Sequence, residues 1–84
     1  MRALITPGGN AARDQWVFFQ DNGRLFKSYG SSIAHVTFDG EVTLFDPYWD
    51  MYSATTNRYL LQFLNEYSIK DVREKVKSGE YRVK

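Results

Sequence analysis

Histidine occurs once in this chain, at His35, and cysteine not at all. A histidine cluster for zinc and a cysteine–histidine nucleophile pair are therefore both excluded. Serines and aspartates are plentiful enough for a Ser–His–Asp set, but no serine has the context of a nucleophile elbow. His35 falls in the middle of a strand-like segment, which suits a structural or exposed imidazole. Asp39, Asp46 and Asp50 offer oxygens for a hard cation but lack the regular ligand spacing of a calcium loop. Turn aspartates account for the first two without a metal. Gly8-Gly9 is too short to cradle a phosphate. The expectation is a protein that is not an enzyme, with no cofactor and no metal.

Two kinds of binding chemistry remain. Tyr48, Trp49 and Tyr52, followed by Arg58, are residue types that often dominate interface energetics, and they form a candidate partner-binding cluster. The competing reading of the same aromatics is a lid over the core. If the cluster is an interface, substituting Trp49 and Arg58 removes partner binding and leaves the fold intact. The alternative is nucleic acid: Lys70, Arg73, Lys77, Arg82 and Lys84 would meet phosphates while sheet aromatics stack on bases. Against that stand a net charge of +1 and a pI near 8.0, low for such a domain, and a basic helix stripe is often just solvated. Charge is uneven along the chain. Residues 28–57 contain no Lys or Arg and carry Asp39, Glu41, Asp46 and Asp50, while the segments on either side are net positive. Such polarity orients a partner during encounter.

The elements that must position these residues are legible in outline. With 84 residues the chain is a single domain, near the size at which one core suffices. Residues 1–14, with Pro7-Gly8-Gly9-Asn10, read as a turn or flexible lead-in. Residues 15–46 read as β-hairpins. Gln15–Gln20 and Arg24–Tyr29 flank Asn22-Gly23, and Ser32–Phe38 and Glu41–Phe45 flank Asp39-Gly40, both turns of the kind that tight hairpins use. Ile33, Val36 and Phe38 do not alternate cleanly, which points to a bulge or to two partly covered faces.

After Pro47, a helix over 53–67 is expected from the stripe Leu60, Phe63, Leu64 and Tyr67, with Ser53, Thr55 or Thr56 as cap. A second helix over 69–78 opens on a capping box, Ser68 to Asp71, and stops at Gly79. Residues 80–84 alternate and suit a short edge strand. The fold class is α+β: a four- or five-stranded antiparallel meander with two C-terminal helices on one face. No stretch reaches the roughly 20 apolar residues of a membrane span, and the first residues lack the apolar run of a signal peptide. A cytoplasmic protein is expected.

Ser28-Tyr29-Gly30-Ser31-Ser32-Ile33-Ala34, Asp39-Gly40-Glu41-Val42-Thr43-Leu44, Tyr48-Trp49-Asp50 and Thr55–Leu64 together resemble a family of small hypothetical proteins of tailed bacteriophages and mobile elements. Its pattern runs SYxTxIA, DGxVxL, WDYSxTTxKYLxxFL. The likeness covers roughly residues 25–67 and extends to Lys77-Ser78-Gly79-Glu80-Tyr81. This chain departs from it by an extra residue, Met51, and by Arg58 in place of Lys. The resemblance implies a phage origin and a host-cytoplasm setting, and it transfers no activity. By analogy with other phage proteins of this size, the expected role is an inhibitor, anti-defence protein or adaptor. The expected partner is a host protein, with nucleic acid as the alternative, a homodimer left open and no membrane.

Overall fold

Strands take their pairing partners in the order in which the chain makes them. The computed structural model describes residues 1–50 and 53–84. It contains β1 (Arg2–Ile5), β2 (Ala11–Gln20), β3 (Gly23–Ser28), β4 (Ser31–Thr37), β5 (Val42–Leu44), a 3₁₀ turn at Tyr48–Asp50, α1 (Ala54–Leu64), α2 (Ile69–Ser78) and β6 (Tyr81–Val83). One six-stranded sheet has the spatial order β1-β2-β3-β4-β5-β6. The class is α+β with two C-terminal helices, as the sequence implies, but the sheet is larger and is not a pure meander. Neighbours from β1 to β5 are antiparallel, whereas β6 returns through the helices and pairs parallel to β5.

Residues 1–14 are not a loose lead-in, since they hold β1 and the start of β2. Their strand character is hidden by an irregularity. Ala3 pairs with Trp16 but Ile5 pairs with Ala11, and Asp14 within the extra length has φ of 58°. A second shift falls between β3 and β4, where Phe26 faces Ala34 and Lys27 faces Ser32. The skipped residue, Ile33, is buried beside Ala34. This is the broken alternation of the sequence, resolved as a bulge.

Facing residues share a side of the sheet, so register separates its two faces. The row Val17–Phe26–Ala34–Leu44 is 1, 0, 0 and 0% exposed. Over it pack Tyr59, Leu60, Phe63 and Val72 from the helices, with the Phe26 and Phe63 rings 5.6 Å apart. Buried Ser28 on β3 bonds Thr56 on α1 (3.0 Å) and so registers the helix on the sheet. Gln62 donates to the Ile5 carbonyl and accepts from the Ile5 amide, both at 2.8 Å. Its carboxamide thereby occupies the outer edge of β1, which would otherwise be open to another strand. Gln15 is fully buried, and its amide finds no hydrogen-bond partner among the described residues.

Caps define both helices. Ser53 accepts from the Thr56 amide, and Ser68 accepts from the Asp71 amide. The first helix ends sooner than its apolar stripe suggests: Asn65 turns left-handed (φ 56°) and caps it. Tyr67 is thereby thrown clear of the core, 95% exposed. Beyond the cap, Glu66 accepts from Lys75 on α2 (2.9 Å) and from the Tyr81 hydroxyl on β6 (2.7 Å), tying three elements together.

Burial alone would push the Glu66 carboxyl up. The hydrogen bonds from Lys75 and Tyr81, with the Lys75 charge, bring it below its ordinary value. Burial and the bond to Glu66 push the Tyr81 phenol up to about 12. A carboxyl depressed in the fold contributes stability above its unfolded pKa and loses it as pH falls through the folded one. Glu66→Gln is therefore expected to cost stability at neutral pH and to flatten the loss of stability below about pH 4.5, read by thermal melts across pH 2–7.

Gly23 opens β3 at φ 153°, and a Cβ there would collide with the Val36 backbone carbonyl. Because backbone cannot step aside as a flexible side chain can, Gly23→Ala is expected to cost at least the ~1–3 kcal/mol of a strained residue. At about 4–8 °C per kcal/mol for a domain of this size, calorimetry should show a clear drop in Tm.

Candidate functional site

Of the partner cluster expected at Tyr48, Trp49, Tyr52 and Arg58, the three described members differ in burial. Trp49 is a core residue, 6% exposed, and its indole donates to Asp46 at 2.8 Å. The apolar body of the ring fills the space beside the sheet while its one polar atom is satisfied locally, so it serves the fold as the lid that clustered aromatics often make. Tyr52 lies outside the described residues. Tyr48 is 43% exposed at a cleft of about 300 Å³ with Tyr29, Ser53 and Thr56. Arg58 is exposed on α1 and is not part of that cleft's lining.

The basic residues of the C-terminal region are also divided. Arg73 is held by Asp50, with a 2.6 Å ion pair, while Lys70 and Lys77 are exposed on α2. All three ride on the helical layer. Arg82 is on β6 opposite Thr43, and Lys84 follows it. The basic helix and the sheet aromatics therefore face opposite ways and do not form one site.

The sheet's second face is where chemistry collects. Trp16 faces Lys27, which faces Ser32; Phe18 faces Leu25, then His35, Thr43 and Arg82. No helix covers these rows. Trp16, Phe18, Leu25, Lys27, His35 and Phe45 are half-buried. Lys27 lies over the Phe18 ring, 5.4 Å from its centroid, as a cation attracted to a π face does. Neither row contains a carboxylate. The acidic residues next to them in the chain, Asp21 and Asp46, sit in connections at the strand ends, and Asp46 already accepts from Trp49.

Across this face, from the end of β2 to the residue after β6, lies an open cavity of about 350 Å³ over Leu25 and Phe45, with Asn22, His35, Thr43 and Lys84 among its walls. His35 Nε2 and Asn22 Oδ1 are 3.1 Å apart. A carboxamide oxygen only accepts, so the imidazole donates from Nε2. No group of three or more His, Cys, Asp or Glu that could hold a metal occurs among the described residues. Among the described residues no helix is long and apolar enough to cross a membrane.

The signal for this face was present in the sequence as the alternating positions Trp16, Phe18 and Gln20. Half-buried aromatics on an uncovered face and aromatics in a core read alike until the helices are placed. Trp49→Ala is expected to cost roughly 3–5 kcal/mol as a large-to-small core change, and Arg58→Ala under about 0.5 kcal/mol as an isolated surface change. Chemical denaturation of the two variants separates core from display.

No curated protein and no solved structure matches the chain. A model described as a family of unknown function (DUF8033) matches residues 6–79, a span running from the β1–β2 connection to the cap of α2. The chain belongs to that family of unknown function, DUF8033.

Proposed function

We propose that the domain is a non-enzymatic binding protein that takes single-stranded nucleic acid on the uncovered face of its sheet. One observation carries the reading: Trp16, Phe18 and Phe45 share a face with Lys27, Arg82 and Lys84, and its facing rows hold no carboxylate. Bases have π faces that stack on aromatic rings whatever the sequence, while cations between the rings track the phosphates. From β2 to β6 the face spans about 19 Å at ~4.8 Å per strand, enough for a few nucleotides. The likeness to phage and mobile-element proteins supports a setting in the cytoplasm of an infected host, with the protein acting as an accessory or anti-defence factor. A host protein as partner is the competing occupant. Of its expected anchors, Trp49 is buried in the core and Arg58 does not line the cleft beside Tyr48.

Fluorescence polarisation with labelled 15-mer oligonucleotides, single- and double-stranded, tests this across a salt series. Single strands are expected to bind tighter than duplex, with log K falling linearly in log salt. Lys27→Ala and Arg82→Ala should each weaken binding and reduce the slope by about 0.7. Trp16→Ala should remove the ~1–3 kcal/mol of one stacked base with the slope unchanged. Binding that is absent, or indifferent to all three substitutions, overturns the proposal. A nuclease-resistant host protein whose retention requires Tyr48 or Arg58 would replace it with the protein-binding reading.

A further inference from the structure

The cavity around His35 differs from the rest of the face in what its walls have left to offer. Leu25 and Phe45 supply apolar surface, and around it stand Gln20, Asn22, Ser32, His35, Thr43 and Lys84. Most of this polar capacity is unspent. The hydrogen bond between His35 and Asn22 uses one ring nitrogen and one carboxamide oxygen. That leaves the Asn22 amino group with two donors and, in the neutral ring, His35 Nδ1 as an acceptor. The side chains of Gln20, Ser32, Thr43 and Lys84 make no hydrogen bond or ion pair within the described residues.

The hollow is open and mostly polar around its apolar floor, and about 350 Å³ falls at the low end of the range that small-molecule sites occupy. A planar ring whose edge carries both donors and acceptors matches these walls. An anion attached to that ring matches Lys84. A nucleobase with its phosphate has that chemistry.

We infer that this cavity is a nucleotide subsite in which one base lies against Phe45 and Leu25, its edge read by Asn22 and His35, with Lys84 on its phosphate. The inference rests on the reading of the sheet face as a single-strand surface and adds base preference to it. Stacking on Trp16 and Phe18 tolerates any base. Hydrogen bonds to a base edge do not, because a mismatched base leaves the donors and acceptors it covers unpaired.

The test compares oligo-dA, oligo-dC and oligo-dT 15-mers on the wild type and on the Asn22→Ala/His35→Ala double variant. Both positions lie at or near the surface, and a far-UV spectrum and melt confirm folding. A second variant, Thr43→Val, probes the same wall without touching the Asn22–His35 pair. The wild type is expected to bind one homopolymer at least tenfold tighter than the weakest. The double variant should bring the three within about threefold of one another at an unchanged salt slope, and Thr43→Val should narrow the spread in the same direction. Lys84→Ala should lower all three affinities and reduce the slope. Binding by the wild type with no base preference, or a preference that survives both wall variants, overturns the subsite and leaves the single-strand face standing. Failure of the wild type to bind any of the three overturns both.

Discussion

A six-stranded sheet has two faces to keep from water, and this chain carries helix enough for one. At ~4.8 Å per strand the sheet is about 24 Å wide. Its two helices, 11 and 10 residues long, are each ~15 Å in length at 1.5 Å per residue and ~10 Å across. Side by side they cover one face, and nothing remains for the other. The row Val17–Phe26–Ala34–Leu44 is consequently sealed, and the row one residue out of phase is not. That is why Trp16, Phe18 and Phe45 are only partly buried although their residue types would suit a core. Sheets with one open face normally place polar residues there. An open face that sets aromatic rings among its cations and polar residues departs from that pattern, and the ligand surface proposed above would account for the departure.

With so little core, the boundary of the sealed layer is fastened by polar contacts at points where apolar burial runs out. Gln62 occupies the edge of β1, the Ser28–Thr56 pair registers α1, and Glu66 gathers Lys75 and Tyr81 where α1, α2 and β6 converge. A net gain of about 1 kcal/mol per such bond is a substantial fraction of the roughly 5–10 kcal/mol expected of a small domain. These contacts act on the helical side of the sheet. On the opposite face, among the described residues, one side-chain hydrogen bond joins His35 to Asn22.

Local signals made two hairpins and the second helix readable, and non-local ones hid the rest. Ser68, Asp71 and Gly79 set α2 at both ends, and Asp39-Gly40 and Asn22-Gly23 mark hairpins, because each acts through backbone within a few residues. The positive φ of Asp14 obscured β1 and the start of β2: an irregular strand has no period to detect. The left-handed Asn65 cut the first helix short while the apolar stripe ran on to Tyr67, since a stripe describes where a helix would point and not where it stops. The parallel pairing of β6 follows from the path through the helices, which no local pattern encodes. The site was the least readable part. Trp49 and Trp16 are the same residue type in aromatic-rich segments, and only the placement of the helices makes the first core and the second surface.

The near-neutral net charge is the main argument against nucleic acid, and it weakens once charge is counted by face. Fields between exposed charges are screened beyond a Debye length, ~8 Å at physiological salt. The molecule is 20 Å through its shortest axis. Glu66, Asp71 and Glu74 belong to the helical layer, with the strands between them and the open face, so a strand lying on that face is little affected by them. What it meets is Lys27, Arg82 and Lys84 interleaved with rings. The same screening removes Lys70 and Lys77 from consideration, because they too lie on the helical side. The total of +1 therefore says little about the rows of the open face, where Lys27 and Arg82 stand among half-buried rings while Asp21, Asp39, Glu41 and Asp46 lie in the connections at the strand ends.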